Sequence, residues 1–217
     1  MTTVEFTWGS LLTLAGSAGI IAALVNQGLG WLREWWAAAD KRKANAGYMA
    51  LRLAVLLEAY ASACADAING NESAEHRPEE QYPDWTAKLP ELPEYPDDTD
   101  GWRSLPIKLA GRVLSFRNKV QESQGIINSG LEHSEDTLEE DYAEQAAQRG
   151  LEAWKLAVEL RRAYGLEAVE VAWDYAAGLE RHFEKARKEI QKRIVRAAKF
   201  HAQLEARHPS PPVTAEE

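Results

Sequence analysis

Five histidines, one cysteine and two isolated carboxylates are the side chains through which this chain could do chemistry. The histidines are His76, His133, His182, His201 and His208. No two stand three or four residues apart, the spacing that puts two metal ligands on one helix face, and none sits in an HExxH frame. Cys64 has no second cysteine for zinc or redox work, and its place on an apolar helical face suits inert packing. The acidic run HSEDTLEED at 133–141 misses the calcium-loop spacing, and helix capping with solvation accounts for it. Glu58 and Asp66 lie among apolar neighbours, where burial raises a carboxylate's pKa. A salt bridge to Arg161 or Arg162 is the expected resolution. No nucleophile elbow, phosphate-cradling glycine loop or dinucleotide turn occurs. The sequence therefore predicts no catalytic residue, no cofactor and no metal ion, and reads as a non-enzyme.

Charge is distributed in blocks. The net charge of −9 argues against nucleic acid as the partner of the whole domain. Residues 72–100 hold ten acids and two bases, and 132–144 hold seven acids and no base. Residues 181–207 reverse this with nine Lys/Arg against three Glu. Within them Arg181, Lys185, Lys188, Lys192, Arg196 and Lys199 include several i, i+4 neighbours. Contact of helix 181–207 with anionic lipid is one reading, at about 1 kcal/mol per basic side chain near the leaflet. Pairing with the chain's own acidic segments is another, and a solvated face is the third.

The elements that must position these charges begin with an anchor. The 27 residues from Phe6 to Leu32 carry no formal charge, and Arg33, Lys41, Arg42 and Lys43 follow at once. About 20 apolar residues cross a hydrocarbon core of roughly 30 Å, so a span over about 8–32 is predicted. Trp8 and Trp31 bracket it about 35 Å apart at roughly 1.5 Å per residue, and Trp35 and Trp36 extend the interfacial belt. Basic residues stay on the cytoplasmic side, which places the N-terminus outside and the C-terminal domain in the cytoplasm. A cleavable signal peptide would need a positive n-region, which MTTVEFTW lacks. A soluble core helix and an in-plane helix are the remaining alternatives. Gly16, Gly19 and Ala23 form a small-residue stripe of the kind that lets helices approach in lipid, so a homo-oligomer contact is expected there.

Beyond the anchor (1–36), residues 37–207 read as one cytoplasmic all-α domain, a bundle of about four helices, and 208–217 as a disordered tail. Met49, Leu53, Leu56, Tyr60, Cys64 and Ala67 step by three or four, with Asn69-Gly70 as a stop. The basic Lys41–Lys43 segment holds no Gly or Pro, so the anchor can run into this helix with little break. Residues 71–106 hold six of nine prolines and form a long loop too apolar for a free linker. It is expected to wrap over the helices. Trp85, Leu89, Leu92, Tyr95 and Trp102 are its candidate partner-binding residues. A third helix starts near Pro106 and ends at NSG 128–130. A fourth is capped by a Thr137/Glu140 capping box and ends at Tyr164-Gly165, and a last one runs from about Leu166 to Arg207.

The segments YMALRLAVLLEAYASACADAI (48–68), KLPELPEYPDDTDGW (88–102) and GLEAWKLAVELRRAYGL (150–166), behind the N-terminal anchor, carry a resemblance. Together they resemble a group of uncharacterised single-pass bacterial inner-membrane proteins with a cytoplasmic helical domain. The resemblance spans most of residues 8–180 and implies an inner-membrane location and this architecture, with no activity attached. The expectation is a membrane-tethered scaffold that binds the lipid bilayer and a protein partner. The opposing expectations are a membrane-active effector that oligomerises and permeabilises the bilayer, and, without motif support, an enzyme acting near the membrane.

Overall fold

The computed structural model describes residues 8–75, 86–133, 137–171 and 173–207; side chains at 8–30 and at Leu32, Glu75, His133, Glu205 and Ala206 lie outside that description. The described residues form helices and connections, with no strand. The order is α1 (Trp8–Glu75), α2 (Thr99–Ser104), α3 (Ile107–His133), α4 (Leu138–Ala163) and α5 (Tyr175–Arg207). The all-helical expectation holds. α1 is a single helix of 68 residues, so the uncharged segment and the first bundle helix are continuous.

Packing on α1 starts at Ala46. Its buried face runs through Met49, Leu53, Leu57, Tyr60, Cys64 and Ile68, in steps of three and four. Alanines at 50, 54, 61 and 65 flank that line and are buried with it. α4 answers with Ala146, Ala147, Ala153 and Ala157 beside Leu156 and Leu160, so small residues face small residues along the central pair. The pair is antiparallel, because Glu58 meets Arg161 while Cys64 lies opposite Gly150. A methyl group at Gly150 would stand 2.9 Å from both Leu179 methyls and 3.0 Å from Cys64 Cβ. Only a glycine lets α1, α4 and α5 converge there. α3 closes the other side through Leu109, Val113, Phe116 and Ile127, and Phe116 sets its ring edge-on to Tyr60 at 5.6 Å between centroids.

Four expected boundaries are corrected. α1 continues through Asn69-Gly70 to Glu75. The glycine penalty of about 1 kcal/mol is outweighed by ties on the following turn, where Asn71 and Glu72 both bind other segments. α3 continues through NSG to His133, and Gly130 lies 3.5 Å by its virtual Cβ from Leu138 at the start of α4. The capping box does not form. Thr137 has helical dihedrals and its hydroxyl donates to Asp141 Oδ2 at 3.1 Å, while Glu140 turns toward Arg193. α5 begins at Tyr175 instead of Leu166. Gly165 at φ 62 ends the preceding turn, and Asp174 caps the new helix by accepting from Ala177 N at 3.0 Å. Trp173, inside the helix expected from Leu166, lies before its start and is 66% exposed.

Candidate functional site

The Pro-rich loop is a latched strap. An extended segment outside a sheet leaves its peptide groups unpaired, and two side-chain amides satisfy them here. Asn71 donates to Thr86 O at 2.9 Å and accepts from Thr86 N at 3.1 Å. Gln124 accepts from Leu89 N at 2.8 Å and donates to Ala87 O at 3.1 Å. Each amide thus mimics a strand edge. Leu89 and Leu92 are buried in the core, so their side chains offer nothing outward. Tyr95 donates to Val113 O at 2.8 Å, Trp102 donates through its indole to Pro96 O at 3.0 Å, and their rings meet edge to face at 5.9 Å. Arg117 stacks over Tyr95 at 4.9 Å and donates to Pro93 O. Burial pushes the Tyr95 phenol up to about 12, against a smaller lowering by Arg117. Trp85 lies outside the described residues.

The two carboxylates singled out in the sequence part company. Glu58 takes a bidentate pair from Arg161, Nε to Oε1 at 2.6 Å and Nη2 to Oε2 at 2.8 Å, with both side chains mostly buried. Asp66 is exposed on the rim of a groove of about 330 Å³ between α1 and the start of α5. Cys64 is fully buried, and burial pushes its thiol up to about 12 in spite of Tyr60 and Arg149 nearby. His182 faces Glu72, which also takes Lys185 at 2.9 Å. Among the described residues no three His, Cys, Asp or Glu side chains gather as a metal site.

One charged residue escaped the sequence reading. Arg149 is only 8% exposed and lies in the buried stripe of α4, seven residues after Tyr142 and seven before Leu156. Its Nη1 donates to Glu152 Oε2 at 2.7 Å, Glu152 also takes Lys119 from α3, and the Arg149 Nε has no hydrogen-bond partner. That heptad position was the available signal.

At the ends of the bundle, two helices overshoot their neighbours. Trp31, Trp35 and Trp36 are 71%, 55% and 62% exposed, on a stretch of α1 whose first buried residue among those described is Ala46. Arg33, Lys41, Arg42 and Lys43 are exposed on the same stretch. Trp8, Gly16, Gly19 and Ala23 belong to α1 but their side chains lie outside the description. Among the described residues no helix is long and apolar enough to cross a membrane. At the opposite end, α5 continues past the first turn of α4. Arg193 ties the two helices there, donating to Asp141 Oδ1 at 3.0 Å. All six cations assigned to this helix (Arg181, Lys185, Lys188, Lys192, Arg196 and Lys199) are exposed, and Lys185 and Lys192 also pair with Glu72 and Glu189.

No family model, curated protein or solved structure matches this chain.

Proposed function

We propose that this chain is a membrane-tethered helical interaction protein, anchored by the first part of α1, with its bundle on the cytoplasmic face of a bacterial inner membrane. The observation that carries it is the trio of exposed tryptophans on a helix that has left the bundle. Aromatic side chains bury about 150–250 Å² each when they find an apolar partner, and these three stay exposed among the described residues. An unpacked helix in water also lacks the tertiary contacts from which most helical stability comes. Headgroups supply both needs, and the basic residues at 33 and 41–43 are placed to remain on the cytoplasmic side. Self-association through Gly16, Gly19 and Ala23 belongs to the same reading.

The test is fractionation of native membranes with a carbonate wash, joined to a topology reporter after Glu217. The chain is expected to stay in the pellet, and only the cytoplasmic form of the reporter to be active. Recovery in the wash, or export of the reporter, sinks the reading. Cross-linking in those membranes should show an oligomer that Gly19→Ile weakens and Ile21→Leu leaves intact.

A further inference from the structure

We infer that the groove between α1 and the start of α5 is a binding site for a free α-amino acid with an apolar or aromatic side chain. Its volume is about 330 Å³, the space of roughly ten waters at about 30 Å³ each. Two helices build it. Asp66 and Asn69 share one face of α1. Gly178, Arg181 and His182 share one face of the first turns of α5, and Trp173 and Tyr175 stand at the entry to that helix. The entry is held by its own backbone. Tyr175 N donates to Trp173 O at 3.0 Å, and Gly178 N donates to Asp174 O at 3.0 Å. The Tyr175 ring rests against Trp154 at 6.3 Å between centroids. The walls therefore stand in place before a ligand arrives, which lowers the ordering cost of binding. Gly178 keeps the space open. A methyl group there would have Arg181 Nη2 at 4.0 Å as its nearest neighbour outside the local helix backbone, so a longer side chain would grow into the groove.

The fold leaves the polar groups of this groove unused. Among the described residues the side chains of Asp66, Trp173 and Arg181 make no hydrogen bond or ion pair, and Asp66 and Arg181 line the same groove without pairing with each other. His182 is engaged elsewhere, with Nδ1 3.5 Å from Glu72, which does not line the groove. The amide of Ala177 at the start of α5 is taken by Asp174, so anion recognition falls to Arg181. Two opposite charges in one groove select the ligand. A simple anion is repelled by Asp66, and a simple cation by Arg181. A zwitterion satisfies both, its carboxylate on the guanidinium fork and its ammonium on Asp66. Trp173, largely exposed, and Tyr175 then offer aromatic surface to the ligand's side chain. The strap is latched on another face of α1. Thr86 binds Asn71, roughly 200° round the helix from Asn69 at about 100° per residue.

The test is calorimetric titration of the full chain in detergent micelles with L-phenylalanine. Three relatives of that probe each lack one feature: hydrocinnamate has no ammonium, phenethylamine no carboxylate and glycine no ring. Vesicles of phosphatidylethanolamine, whose headgroup joins an ammonium to a phosphate, form a fourth arm. L-phenylalanine is expected to bind in the millimolar range or tighter, and at least tenfold better than each relative. Asp66→Asn should abolish its advantage over hydrocinnamate, Arg181→Gln its advantage over phenethylamine, and Trp173→Ala its advantage over glycine. These three positions are exposed, so the variants keep the fold, which circular dichroism checks. Gly178→Leu should fill the groove and weaken phenylalanine at least tenfold, while helix propensity favours the change. Absence of binding, equal binding of the truncated probes, indifference to the substitutions, or preference for the vesicles each overturn the inference. None of these readouts needs bilayer insertion. A chain washed off membranes therefore ends the anchoring proposal and leaves this one to its own result.

Discussion

Glu58 and Arg161 fix α1 against the end of α4 with both charges out of bulk water. Removing one partner of such a pair leaves the other charge buried, a loss of about 3–5 kcal/mol. Arg161→Met is expected to lower urea stability by about that amount, whereas Glu58→Leu with Arg161→Leu should recover most of it. The pair was legible in the sequence because an acid inside an apolar helical stripe must be neutralised, and the next arginines stood at the end of another stripe. Arg149 was not, because charges read as runs along the chain hide a cation whose meaning comes from its angle on the helix. The Tyr60 hydroxyl is buried with only the Cys64 thiol, a weak hydrogen-bonding group, beside it, so Tyr60→Phe, which keeps the ring against Phe116, should change stability by no more than about 1 kcal/mol. Gly150→Ala tests the opposite effect. Helix propensity favours alanine by about 1 kcal/mol, but the close contacts with Leu179 and Cys64 should produce a net loss of about 1–3 kcal/mol in thermal unfolding.

The strap is an element with no periodicity of its own, held by side chains of its neighbours. Its wrapping was legible from proline spacing and aromatic content. Its latches were not, since nothing local marks Asn71 or Gln124 as a surrogate strand edge. Gln124→Ala should release residues 86–89 first. Hydrogen exchange is expected to rise at Leu89 by tenfold or more while amides in the middle of α4 hold their protection. Uniform loss across both would show the strap to be part of one cooperative unit with the bundle. The helix boundaries teach a related lesson. Asn-Gly and Asn-Ser-Gly disfavour a helix only weakly, so the tertiary ties of Asn71 and Glu72 carried α1 onward. The start of α5 was missed because Asp174, an N-cap by type, lay inside the helix expected from Leu166.

For the molecule as a whole, buried phenols set a limit on the alkaline side. Burial raises the phenols of Tyr95 and Tyr142 to about 12, above the ordinary phenol value of about 10, and raises Tyr60 further. Between about pH 10 and 12 the unfolded chain therefore binds fewer protons than the native one, and stability falls as pH rises. The apparent Tm should drop steeply above pH 10, with a tyrosinate absorbance step coincident with loss of helix. A phenolate signal from all seven tyrosines near pH 10 with the fold intact would contradict it.

The antiparallel pairing of α1 with α4 also has a consequence in time. Glu58 and Arg161 are separated by 103 residues, so during synthesis the apolar face from Met49 to Ile68 is complete long before anything exists to cover it. At about 5–20 residues per second that wait lasts roughly 5–20 s. The half of the core made first is exposed longest, and nascent chains halted before α4 are expected to recruit chaperones that chains halted after Ala163 release.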